Sequence, residues 1–134
     1  MSDLDARRTQ RLEQIFAAFN RHDKAGVMAC MTDDIVFDAA AGDEMCGRRI
    51  KGQADVGAAF ATTFADMPDA SWECTRHSVF GDTGLSEWIF RATLTSGDRI
   101  EAEGCDIFSF KGDLIATKSA FRKARPVLPA PAKS

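Results

Sequence analysis

SWECTRHSVFGDTGLSEWIFRATLTSGDRIEAEGCDIFSFKGDLIATKSAFR, residues 71–122, is the stretch that decides the fold. Three turn signals punctuate it about every 15 residues: Gly81-Asp82-Thr83-Gly84, Ser96-Gly97-Asp98 and Lys111-Gly112-Asp113. Around them lie four segments rich in β-branched and aromatic residues: Ser71–Phe80, Leu85–Thr95, Arg99–Phe110 and Leu114–Arg122. Consecutive strands of this length joined by short turns predict an antiparallel meander.

Upstream, the period changes from 2 to 3.6. Leu12, Ile15, Phe16 and Phe19 lay one apolar stripe along a helix expected from Leu4 to Arg21, with Ser2 and Asp5 as its capping pair. A second helix is expected over Lys24–Met31, and a third over Gln53–Asp66, turning Val56, Phe60 and Phe64 inward and stopping before Pro68. A short β segment, Ile35–Asp38, separates them. Three helices followed by a meander predict an α+β fold, a curved antiparallel sheet with three N-terminal-half helices around one pocket.

At 134 residues, with 45% hydrophobic and 28% charged, the chain has the size and balance of one globular domain, expected over residues 1–125. Residues 126–134, with three prolines and little apolar content, are expected to form a flexible tail. The net charge of -3 argues against nucleic-acid binding, because phosphate recognition needs clustered cations. Lys118, Arg122, Lys123 and Arg125 gather at one end and read as a solvated terminal strand. No apolar run is long enough to span a bilayer, and the polar start of the chain points to a cytoplasmic protein. Cys30, Cys46, Cys74 and Cys105 show no paired spacing, and with only His22 and His77 in the chain no metal site is expected. P-loop, G-x-G-x-x-G and G-x-S-x-G motifs are absent, which points away from nucleotide-dependent enzymes, dinucleotide oxidoreductases and serine-type hydrolases; no cofactor is expected.

Candidate chemistry concentrates on the strands. Ile100, Ala102, Gly104, Asp106, Phe108 and Phe110 share one face of the third long strand, which is apolar apart from Asp106. A carboxylate there must be paired, hydrogen-bonded or neutralised. It either donates a hydrogen bond to a ligand as a protonated acid or pairs internally with Arg91, Lys118 or a backbone N–H. Asp38, at a strand end beside Ala39-Ala40-Ala41-Gly42, is a candidate general base or a turn aspartate. His77 is a candidate proton shuttle or a hydrogen-bonded strand histidine. Glu87 and Trp88 point to opposite sides of the sheet, and alternation leaves open which set, Trp88 and Phe90 or Glu87 and Arg91, faces the pocket. An ion pair of Glu87 with Arg91 or Lys118 is the alternative to a ligand contact.

The segments Phe16–Asp23, Thr32–Asp38, the Gly52-led third helix, Gly104–Phe110, Gly112–Ile115 and Lys118–Pro126 carry a resemblance over roughly Arg7 to Arg125. The chain resembles the nuclear transport factor 2-like superfamily, and within it the SnoaL-like polyketide cyclase and ketosteroid isomerase group. The resemblance implies a cone-shaped barrel with an apolar pocket for a small apolar ligand, often in a homodimer formed through the sheet. It places Asp38 at the position of the isomerase base, Asp106 at that of the protonated acid, and Ile15 where the isomerase has its tyrosine. An oxyanion held by one donor instead of two would be weaker by about 3 kcal/mol. The pocket is expected to be lined by Ile15, Phe19, Phe60, Trp72, Trp88 and Phe108, with Glu87 and Arg91 as polar contacts.

Overall fold

The computed structural model describes residues 2–131. In chain order the elements are α1 (Asp3–Asn20), α2 (Lys24–Ala29), β1 (Met31–Glu44), β2 (Gly47–Lys51), α3 (Gln53–Asp66), β3 (Ser71–Phe80), β4 (Thr83–Thr93), β5 (Arg99–Lys111) and β6 (Leu114–Arg122). Among the described residues, no helix is long and apolar enough to cross a membrane.

The expected caps form. Ser2 Oγ accepts from the Asp5 amide at 3.1 Å and opens α1. Gly52, at φ 87°, is the residue before α3 and turns the chain out of β2 without a side-chain cap. The Gln53 amide then donates to the carbonyls of Met28, Met31 and Thr32, tying α3 to the α2–β1 junction.

All six strands form one curved sheet in the order β2-β1-β6-β5-β4-β3. The meander β3 to β6 is antiparallel throughout, as expected. β1 lies parallel to β6, with Phe37 beside Lys118, and turns back through β2. The sheet is open, with β2 and β3 as its edges, so helices rather than strand closure complete the cone. α1 packs on β3 and β4, and α3 on β1 and β2.

Two expectations about the ends of elements are corrected. The short β segment at Ile35–Asp38 is the middle of a 14-residue strand, and β2 was not foreseen. Ala39-Ala40-Ala41-Gly42 has poor strand propensity and Arg48, Arg49 and Lys51 mask β2; the pairing of β1 with β2 on one side and with β6 on the other overrides both. The tail beyond Arg125 is partly tied down. Leu128 exchanges two backbone hydrogen bonds with Arg99, at 2.7 and 2.8 Å, and the Ala130 amide donates to Asp98 at 3.0 Å. Residues 132–134 of that stretch lie outside the described residues.

β4 settles the strand whose parity the sequence left open. Ser86, Trp88, Phe90 and Ala92 are buried, while Leu85, Glu87, Ile89 and Arg91 face outward. Trp88, Phe90, Phe108 and Phe110 meet Leu12, Ile15, Phe16 and Phe19 of α1 and Val56 and Phe60 of α3 in one core.

Candidate functional site

At the wide end of the cone the aromatic side chains stop short of filling the space. They leave a cavity of about 170 Å³ between α1, α3 and the inner face of the sheet. Phe19 of α1, Phe60 and Phe64 of α3, Phe37 of β1, Trp72 of β3 and Trp88 and Phe90 of β4 line it. Asn20 fixes one wall: its amide donates to the Trp72 carbonyl at 2.9 Å and accepts from the Trp72 amide at 2.8 Å. The Trp72 ring accordingly lies between Phe19 and Phe90, with centroids 5.2 and 5.1 Å away.

Of the cavity's polar lining residues, Thr63, Lys118 and Arg122, Lys118 is the buried one. It is 5% exposed, and its ammonium donates to Asp106 Oδ1 at 2.9 Å. Asp106 is fully buried, and its Oδ2 accepts from Trp88 Nε1 at 3.0 Å. The indole reaches across β5 because the residue opposite Trp88 is Gly104, where an added Cβ would sit 2.5 Å from the ring. Around the ammonium stand the rings of Phe37, Phe19 and Phe60, with centroids 4.7, 5.3 and 5.8 Å away. These faces offer favourable cation–π contacts that offset part of its desolvation. An ammonium has three N–H donors, and only the one given to Asp106 has an acceptor among the described residues.

Asp106 is thus the paired carboxylate of the two readings open to it. Both of its oxygens accept from the protein, so it orients Lys118 and is not a donor to a ligand. Lys118, grouped in the sequence with a solvated basic end, is buried beneath three aromatic rings instead. Its signal was alternation: Lys118, Ala120 and Arg122 share the inward parity of β6, beside Phe37, Asp106 and Gly104 on neighbouring strands.

The structure separates the other candidates. Phe19, Phe60, Trp72 and Trp88 line the cavity. Ile15 and Phe108 lie deeper, within the packed core, at 0% and 1% exposure. Asp38 does not join them. It alternates with inward Phe37, and Arg49 on β2 holds it in a two-pronged ion pair at 2.9 and 3.0 Å. That hydrogen bonding holds its carboxyl below the usual aspartate range, which suits a structural pair better than a base.

Glu87 and Arg91 are corrected in the same way. Inward Trp88 and Phe90 put both on the outer face, where Glu87 pairs with Arg76, and Arg91 with Glu73 and Glu101. His77 faces inward but lies beyond the cavity, against Phe16, with Nδ1 2.8 Å from Ser86 Oγ. Burial lowers its pKa, partly opposed by the Glu13 charge. Cys74 supplies no thiolate: burial, reinforced by the Asp106 charge, pushes its pKa up to about 12.

Arg122 closes the open side of the cavity. Its guanidinium lies 5.2 Å above the Phe90 ring and has no hydrogen-bond or ion-pair partner among the described residues. Partial burial accordingly lowers its pKa.

Comparison with solved structures supports this architecture. A cystatin-fold protein from Novosphingobium aromaticivorans is 22% identical, with a TM-score of 0.74 over 86% of this chain and 97% of the other. A nuclear transport factor 2-like protein from Burkholderia pseudomallei is 19% identical, with a TM-score of 0.76 over 92% of each chain. A putative polyketide cyclase from Xanthomonas campestris is 17% identical, with a TM-score of 0.71 over 89% of this chain and 92% of the other. At these identities the likeness is one of fold. No curated protein matches the sequence. The SnoaL-like domain matches residues 12–117, which include α3, β3 to β5 and the start of β6, and every cavity-lining residue except Lys118, Ala120 and Arg122. The chain belongs to the SnoaL-like domain family, within the nuclear transport factor 2-like superfamily.

Proposed function

We infer that this protein binds a small, flat, apolar molecule bearing one carbonyl or enolate oxygen, with Lys118 as the anchor for that oxygen. The observation that carries this is the Lys118 ammonium, which faces an aromatic cavity with N–H donors to spare and is held in place by Asp106. A fixed cation in a water-poor site stabilises negative charge on an oxygen far better than the same cation in water. Lys118 therefore takes over the donor role that the resemblance assigned to Asp106. The chemistry this supports is carbonyl polarisation of the cyclase type, in which the ligand brings its own nucleophile.

Binding without turnover is the second reading. It is favoured by the cavity lining, which contains no carboxylate or imidazole to serve as a base. Both readings share the Lys118 anchor and differ in whether product forms.

The test is a thermal-shift panel of aromatic ketones on the wild type and on the double variant Lys118→Met/Asp106→Asn, which removes both charges together. A ligand at about 100 times its Kd adds roughly 2.7 kcal/mol to the wild type. Equal responses from the two proteins, or none from the wild type, would sink the reading. Product analysis of the responders then separates turnover from binding.

A second copy of the chain is the partner we propose, seated on the outer face of the sheet. Ile107 and Phe121 are 42% and 53% exposed there, and Leu85 lies directly opposite Ile107. Light scattering should give twice the chain mass for the wild type and a monomer for Ile107→Lys/Phe121→Glu; a monomeric wild type would exclude the assembly.

A further inference from the structure

We propose that the ligand is an amphiphile whose apolar head fills the aromatic cavity while an anionic arm, a carboxylate or a phosphate, lies outside against Arg122. This deepens the reading above and rests on it.

The cavity volume starts the argument. At about 170 Å³ the inner cavity is smaller than the ~300–1,000 Å³ typical of small-molecule sites. It holds a head group rather than a whole ligand. Next to it runs a groove of about 490 Å³ between β1, β5 and the end of β6. Ala40 and Arg122 line both spaces, so one molecule can pass from the first into the second between them. The segment beyond Arg125 forms the far wall, through Pro126 and Val127, and the Leu128–Arg99 bridge keeps it there.

Charge sets the chemistry of the arm. Glu101 is the groove's acidic residue, and Arg91 already holds it at 2.9 Å, with Arg125 at 3.6 Å. Arg125 also donates to the Glu101 carbonyl at 2.7 Å. The side chains of Arg122 and Lys123 have no acidic partner among the described residues, so the uncommitted charge of the groove is positive. The Arg122 guanidinium is pre-positioned by its contact with Phe90 and presents a planar fork suited to a carboxylate or phosphate. Arg122 would select for the anionic arm while Lys118 holds the oxygen of the head.

The test uses three probes with one head: 2-acetylnaphthalene, 5-(2-naphthyl)-5-oxopentanoate and the methyl ester of that acid. Calorimetric titration of the full chain should show the acid binding at least about tenfold tighter than its ester at low salt. That ratio should shrink in about 0.5 M salt, fall to near one in Arg122→Gln, and fall only in part in Arg122→Lys, which keeps the charge but loses the fork. Equal binding of acid and ester by the wild type, or an unchanged ratio in Arg122→Gln, overturns the proposal while the cavity reading stands. Failure of all three probes to bind the wild type overturns both. Matching far-ultraviolet spectra and melting curves confirm that the Arg122 variants are folded.

Discussion

Lys118 Nζ lies 2.9 Å from Asp106 Oδ1 across neighbouring strands, and both residues are buried, at 5% and 0% exposure. Such a pair is set by the sheet itself. Lys118 sits opposite Phe108, and Asp106 is the next inward residue along β5. Breaking a buried pair from one side leaves an unpaired charge and costs about 3–5 kcal/mol, whereas removing both charges together is far milder. Lys118→Met should therefore destabilise strongly, and Lys118→Met/Asp106→Asn should recover much of the loss. Urea denaturation of the double-mutant cycle measures this. Additive losses would mean the pair is not coupled.

Asp38→Asn is expected to leave ligand binding unchanged. The carboxylate faces away from the cavity and holds Arg49, itself half exposed, so the variant should lose no more than about 1 kcal/mol. Because this pairing lowers the aspartate pKa, the contribution is present at neutral pH and fades as pH falls below the ordinary aspartate range. A variant that folds normally but no longer responds to any aromatic ketone would return Asp38 to the site.

Gly104→Ala probes how the indole reaches Asp106. The new Cβ would lie 2.5 Å from the Trp88 ring and 2.4 Å from the Phe121 carbonyl oxygen, so either the ring or the strand must move. Overpacking of this kind costs about 1–3 kcal/mol. A displaced Trp88 also leaves Asp106 Oδ2 without its donor. Near-ultraviolet circular dichroism should report the altered Trp88 environment. A spectrum and stability identical to wild type would show that the close approach of ring and glycine does not occur.

The meander was legible because its strands are long, β-branched and separated by glycine turns, and Ser71–Phe80 and Leu114–Arg122 match their observed limits. α3 was legible from Gly52 to Pro68 for the same kind of reason, a clear period between clear stops. β2 and most of β1 were not: β6, the far partner of β1, is more than 70 residues away in sequence, and the residues of β1 and β2 are themselves small or charged. At the site, helical periodicity turned Phe19 and Phe60 inward, whereas alternation left the facing of Trp88 open and Trp72 carried no periodic signal of its own. Asp106 was recognised as a buried carboxylate with Lys118 among its three possible partners, and the register of β5 against β6 is what selects Lys118. Asp38 and Arg91 misled because a strand residue's facing depends on cross-strand register, which a single sequence does not encode.

His77 gives the last prediction, through linkage. Burial against Phe16 lowers its folded pKa below the ordinary value near roughly 6.5, with Glu13 offsetting part of the effect. As pH falls through that ordinary value, the unfolded chain takes up a proton before the folded one does. Stability should therefore fall with acidification through this window, and level off only once the folded histidine is protonated as well. His77→Gln can keep a hydrogen bond to Ser86 Oγ without titrating. Denaturation curves between about pH 5.5 and 7.5 should give a shallower dependence for the variant than for wild type. Parallel curves would mean that His77 is solvated well enough to titrate alike in both states, and the packing of β3 against α1 would have to be looser than the 5.7 Å ring contact implies.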